Sequence, residues 1–236
     1  MVTKTDLGGY HLKKSLLLTL FLILGFALMV PVKAEAYTPL ELNSTKIVLD
    51  RGQKFQLKVT NSKRTPVWTV EDTSIARVSK NGVVQGVGTG RTKVTATLCG
   101  KTVTCTVVVA SLSRMTREQR SIVTLALKCV GNKYRYGGSS LVNGTDCSGF
   151  TMALYYRFGV NLPHNTNSQL AVVQEISASE AKPGDLIFYG SSRWNCSHVA
   201  MYIGDGKVVH ASNERNGITI SNYNYRKRVG IGRVVR

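Results

Sequence analysis

Between Thr45 and Val109 the apolar residues fall into short alternating runs: Ile47 to Leu49, Phe55-Leu57-Val59, Val67 to Val70, Ile75 to Val78, Val83-Val84, Val94-Ala96-Leu98 and Val103-Cys105-Val107-Val109. Turn-forming residues separate them at Asp50 to Gly52, Asn81-Gly82 and Gly86 to Gly90. A period of two puts alternate side chains on opposite faces, so each run reads as a half-buried strand. Strands this short, at this spacing, predict an all-β sandwich over residues 37–110. Trp68, in the middle of the third run, is expected to plug its core. The stretch contains no histidine, and nothing in it reads as catalytic.

The pattern changes at Ser111-Leu112-Ser113-Arg114, so residues 111–115 are expected to be a linker and residues 116–236 a second domain. Thr116-Arg117-Glu118-Gln119 has the form of a capping box. Ile122, Leu125, Ala126 and Cys129 follow on one helical face, with Gly131 as the stop, so Cys129 is expected to be structural. Beyond residue 185, Leu186 to Tyr189 reads as a strand and His198 to Ile203 as another, with Val199, Met201 and Ile203 on one face and His198, Ala200 and Tyr202 on the other. A helical half followed by a strand-rich half predicts an α+β domain.

Within that domain the stretch GTDCSGFTMALYYRFG, Gly144 to Gly159, carries the chemistry. Phe150, Leu154 and Phe158 recur every four residues and Gly159 stands at a helix stop, so a buried helix is expected to begin at Cys147 with Asp146 as its N-cap. The first N–H groups of a helix lack intrahelical partners and carry partial positive charge, which favours a thiolate at that position.

Two histidines, His198 and His210, flank the turn Gly204-Asp205-Gly206. With a two-residue loop Asp205-Gly206, Met201 opposes His210 and the histidines lie on opposite faces. With a three-residue loop ending in a left-handed glycine, Ala200 opposes His210 and the two share a face as diagonal neighbours. Gly206 suits the left-handed position, which favours the second register. Cys147 is then the nucleophile, His198 its general base and acid, and His210 the group that orients His198. The Cys147 amide and Tyr134 are the candidate donors to the oxyanion. His11, His164, His198 and His210 form no zinc spacing with the cysteines, so no metal or other cofactor is expected. Cys196 alternates onto the face of His198 and is expected to be structural.

Lys13 and Lys14 precede an uncharged run from Ser15 to Val30, followed by Ala34-Glu35-Ala36. This is the pattern of a signal peptide, residues 1–36, cleaved before Tyr37, which predicts a secreted or wall-associated protein with no stable membrane anchor after cleavage. The net charge of +18 is spread along the chain, +8 falling on residues 37–114 and +8 on residues 115–236. An exported protein this basic is drawn to polyanions, including anionic wall polymers. No basic helix or nucleic-acid motif accompanies the charge, and nucleic acid is not an expected partner. Five cysteines, at 99, 105, 129, 147 and 196, leave at least one thiol free or intermolecular and show no disulfide framework. A turn at Gly100-Lys101 would set Cys99 opposite Thr102 and Cys105 opposite Ala96, too far apart to bridge.

Two resemblances emerge from these motifs. The run TPVWTVEDTSIARVSKNGVVQGVGTGRTKVTATLCGKTVTCTVVV, from Thr65, resembles the bacterial immunoglobulin-like group 2 domain, which implies a spacer or wall-surface module. YRYGG, DCSGF, LPHNT with Gln169, KPGDLIFY, HVAMYIG and VVHAS occur in the order and spacing of the NlpC-type bacterial cell-wall cysteine peptidases. That resemblance implies a papain-like fold, catalytic roles for Cys147, His198 and His210, a place for Tyr134 beside the nucleophile, and contacts from Asp146 and Ser148 to a substrate amine. It implies hydrolysis of peptidoglycan stem peptides, commonly at the γ-D-glutamyl bond to the diamino acid. An N-acetylmuramoyl-L-alanine amidase uses the same residues, and a silent wall-binding protein is the reading from another class. His164 stands where many members have arginine, and the loop before Asp146 is one residue longer than common forms. His164 is expected on the cleft rim.

Overall fold

The computed structural model describes residues 38–235. The expected signal peptide and its cleavage site lie outside the described residues. Residues from Pro39 onward form one compact unit. Its first part holds seven strands where the alternation places them: β1 (Lys46–Asp50), β2 (Lys54–Gln56), β3 (Val67–Val70), β4 (Ala76–Val78), β5 (Val83–Gly86), β6 (Gly90–Leu98) and β7 (Lys101–Ala110). They make two sheets, β1-β7-β6-β3 and β2-β5-β4. Leu49, Leu57, Val84, Val94, Cys105 and Val107 are buried between them, and Trp68 packs half-buried against this core.

The β6–β7 turn differs from expectation by one residue. Leu98 pairs with Lys101, so the turn is Cys99-Gly100 and Cys105 opposes Val94 rather than Ala96. Both turn residues have positive φ, 50° and 74°, the geometry of a two-residue hairpin loop that follows the strand twist. All five cysteines are free thiols.

The residues expected as a linker are tied down. Leu112–Arg114 form a short 3-10 turn, and the Asp50 carboxylate accepts the amides of Leu112 and Ser113 at 2.9 and 2.8 Å. Helix α1 (Arg117–Lys128) follows, opened by the Thr116–Gln119 capping box and burying Ile122, Val123, Ala126 and Leu127. Short strands β8 (Ser139–Ser140) and β9 (Gly144–Thr145) lead into α2 (Cys147–Tyr156), and α3 (Thr166–Val172) comes next. The remaining strands are β10 (Gln174–Glu175), β11 (Leu186–Ser192), β12 (Asn195–Gly204), β13 (Lys207–Asn213), β14 (Gly217–Asn222) and β15 (Arg228–Arg233). These six form one antiparallel sheet, ordered β10-β15-β11-β12-β13-β14. Phe150 and Leu154 of α2 are fully buried in a core shared with Phe188, Val199, Met201 and Val209 of the sheet. That packing fixes the first turn of α2 against β12 and β13. Val108 and Ala110 of β7 belong to the same core.

Candidate active site

Asp146 caps α2 as expected: its backbone is extended, and its Oδ1 accepts the Gly149 amide at 2.7 Å. Cys147 is therefore the first helical residue. Gly149 must be glycine, because a Cβ there would collide with the Gly138 carbonyl oxygen and press on His164. The loop carrying Tyr134 to Gly138 thus lies directly against the first turn of the helix.

The β12–β13 hairpin arrives at the favoured register by another route. Met201 pairs with Val209 and Tyr202 with Val208, which sets Ala200 opposite His210, but Gly204 pairs with Lys207. The loop is therefore the two-residue Asp205-Gly206, both at positive φ, and the extra residue is a bulge between Tyr202 and Gly204. The bulge restores the side-chain phase that a plain two-residue loop would have inverted. His198 and His210 share a face, with His198 Nε2 2.8 Å from His210 Nδ1. Both are at least 95% removed from solvent.

Burial dominates the electrostatics. It holds His198 below the ordinary imidazole range, helped by the neighbouring His210 and by Arg226, and it depresses His210 likewise, again with Arg226. Burial also raises the Cys147 thiol, opposed by hydrogen bonds from the amides of Val199, Ser148 and Cys147 itself. The helix terminus acts in the expected direction, but desolvation outweighs it. Burial therefore works against charge on all three groups, raising the thiol and lowering both imidazoles.

The other expected residues are placed as follows. Tyr134 is half-buried, pairs with Thr145 in an isolated bridge, and has its phenol pKa raised by burial and then by Cys147, so its hydroxyl keeps its proton. Ser148 is buried, its hydroxyl donating to Asp146 Oδ1 at 3.2 Å. Asp146 is heavily engaged: Oδ1 also meets His164 Nε2 at 2.9 Å, and Oδ2 accepts the Gly137 amide at 2.9 Å. Oδ2 keeps capacity for one further donor. His164 thus stands at the helix start, bonded to the cap. Cys196 is buried, its thiol directed to the carbonyls of Tyr189 and His198. Among the described residues no cluster of three or more His, Cys, Asp or Glu could hold a metal ion.

Sequence reasoning missed two partners of His210. Its Nε2 lies 2.9 Å from Ser221 Oγ, and the Tyr225 hydroxyl lies 3.3 Å from its Nδ1. His210 pairs with Thr219 across β13 and β14, which makes Ser221 a diagonal neighbour on the same face. The alternation of β14 carried that signal once the hairpin register was known. It also gave Gln169 no role. This buried amide donates to the carbonyls of Ser148 and Pro163 and accepts from Thr151, tying the first turn of α2 to the following loop.

A thiol at a helix start, packed against a strand that presents an imidazole oriented by a second polar chain, defines the class of cysteine acyl-transfer sites. Residues 131–230 match the NlpC/P60 family, and residues 36–107 match the bacterial Ig-like domain (group 2). The chain therefore carries an NlpC/P60 domain preceded by a bacterial Ig-like domain. Similar proteins include "Probable endopeptidase p60" of Listeria monocytogenes, 38% identical over 119 residues, which are 48% of this chain and 23% of that protein. "Gamma-DL-glutamyl hydrolase" of Bacillus subtilis is 32% identical over 117 residues, 48% of this chain and 28% of that protein. The match thus spans about a quarter of the length of these relatives. Among solved structures, the NlpC/p60 domain of the peptidoglycan hydrolase SagA is similar at 32% identity and a TM-score of 0.46, covering 49% of this chain and 98% of that one.

Proposed function

We propose that this protein is an exported cysteine endopeptidase of papain-like architecture that hydrolyses an amide bond in peptidoglycan stem peptides, at the γ-D-glutamyl link to the diamino acid. The observation that carries the reading is the buried His198–His210 pair at 2.8 Å, packed against the helix that begins at Cys147. The names of the relatives support the substrate class, and the net charge of +18 suits an anionic wall.

His198 uses Nε2 to reach His210, so Nδ1 is the nitrogen left for the thiol. Nε2 then carries the proton and donates to His210 Nδ1, which leaves His210 Nε2–H to donate to Ser221. As Cys147 Sγ attacks the carbonyl carbon, its proton passes to His198 Nδ1 and the new C–S bond pushes an electron pair onto oxygen. The Cys147 amide and the Tyr134 hydroxyl stabilise that oxyanion. Collapse breaks the C–N bond, and the leaving amine takes the proton from His198. Water then attacks the thioester, giving a proton to His198, which returns it to the departing thiolate. The spare acceptor capacity of Asp146 Oδ2, with Ser148 beside it, is the proposed seat of the substrate amine.

End-group analysis of fragments released from purified peptidoglycan tests the bond assignment. A new amino terminus on the diamino acid is expected. One on L-alanine would overturn it in favour of an N-acetylmuramoyl-L-alanine amidase.

A further inference from the structure

A cavity of about 870 Å³ lies between the Ig-like domain and the edge of the second sheet, walled on one side by Gly90 to Lys93 of β6 and on the other by Thr219 to Asn222 of β14. It does not include Cys147. β14 is the last strand of its sheet, so one of its edges has no strand partner. At the start of that edge Ile218 is already satisfied: its carbonyl accepts the Gly131 amide at 2.7 Å, and its own amide donates to the Asn132 carbonyl at 2.9 Å. Ile218 therefore points both backbone groups outward. Pairing with β13 runs without a shift from Ala211↔Ile218 to Lys207↔Asn222, so two residues on, Ile220 directs its N–H and C=O the same way, into the cavity. These are the groups an added strand would pair with.

The charges lining that edge are three cations, Arg91, Lys93 and Lys207, against two carboxylates, Glu71 and Asp72. Glu71 is paired with Lys93 at 3.6 Å, and Asp72 Oδ1 is held by the amide and hydroxyl of Ser74. Arg91 and Lys207 line the same cavity without a salt-bridge partner among the described residues; Lys207 Nζ donates to Asn222 Oδ1 at 2.6 Å and lies within the field of Asp72, which leaves Arg91 the less engaged of the two. We propose that this cleft is an accessory site in which an extended, carboxylate-bearing peptide adds to β14 at Ile220, its carboxylates held by Arg91 and Lys207. On the reading of peptidoglycan as substrate, the occupant is a stem peptide other than the one being cut. It lies one hydrogen bond from the catalytic pair, because Ser221 and Tyr225 both line the cleft and both contact His210.

The test uses the full chain carrying Cys147→Ala, titrated with a synthetic γ-D-glutamyl peptide with free carboxylates and with its fully amidated counterpart, read by amide hydrogen exchange and by affinity. The free-carboxylate peptide is expected to slow exchange across residues 218–222. Affinity is expected to fall at least ~10-fold on amidation, and by a similar factor when Arg91→Gln and Lys207→Gln are combined. The proposal is overturned if there is no binding, if protection is confined to the segment around Cys147, or if affinity is indifferent to both changes. Because the readout is binding to a protein that cannot cleave, failure of the hydrolytic assignment would leave this result legible on its own.

Discussion

Burying two imidazoles side by side has a cost that depends on pH. Each has a depressed pKa in the folded protein, whereas in the unfolded chain it titrates near ~6.5. Their burial contributes fully to stability above that value. As pH falls below it the unfolded chain binds protons that the folded one refuses, and stability drops by up to ~1.4 kcal/mol per pH unit for each histidine until the folded values are reached. Urea unfolding between pH 6.5 and 5.5, above the range of ordinary carboxylates, isolates the effect. The slope of stability against pH is expected to be shallower in His210→Gln than in the natural protein, by up to ~1.4 kcal/mol per unit. Equal slopes would mean that His210 titrates normally in the folded state. At this scale the sequence was informative about placement: Cys147 opens its helix behind the Asp146 cap, and His198 and His210 meet on one face. Burial of the thiol, which raises its pKa against the helix terminus, was not legible, because helix capping is a local pattern whereas burial depends on how the whole domain packs.

Among the elements, the first turn of α2 and the hairpin β12–β13 decide whether the side chains meet. The helix start depends on close backbone approach at Gly149, so Gly149→Ala is expected to destabilise the protein by ~2 kcal/mol or more, measured by urea denaturation, and to lower activity through displacement of the loop bearing Tyr134. An unchanged denaturation midpoint would show that the loop yields freely. The hairpin shows how far a pattern can be read. Glycine at 204 and 206 announced a turn, and the shared face of the histidines followed from the correct register, yet a bulge rather than a longer loop produces it. Asp205 at a φ of 52° is tolerated because aspartate, unlike a β-branched residue, enters the left-handed region at modest cost. The β6–β7 turn was displaced by one residue for a related reason: Cys99 occupies a left-handed position that nothing in its chemistry advertises.

On the scale of the whole molecule, the Ig-like domain and the NlpC/P60 domain are joined by more than a connector. Lys46 of β1 donates to the carbonyls of Lys128 and Val130 at the end of α1, where the helix dipole also favours a cation. Asp205, at the tip of the β12–β13 hairpin, accepts from Thr89 and from Ser111, both at 2.6 Å. With Asp50 gripping Leu112 and Ser113, and Val108 and Ala110 buried in the second core, the two parts are expected to unfold in a single calorimetric transition. Two well-separated transitions would contradict this. The strand content of one part and the mixed content of the other were legible from periodicity. Their union was not, because it rests on individual polar contacts between residues up to 116 positions apart, which leave no periodic trace.

The proposed mechanism requires the Cys147 thiol as nucleophile, and the rate of fragment release from purified peptidoglycan by the natural protein and by Cys147→Ala tests it most directly. The substitution is expected to lower that rate at least ~10³-fold while the unfolding free energy from urea denaturation stays within ~1 kcal/mol of the natural protein, because the cysteine is half-buried and its removal leaves the Asp146 cap intact. Release at an undiminished rate by a folded Cys147→Ala protein would contradict the mechanism.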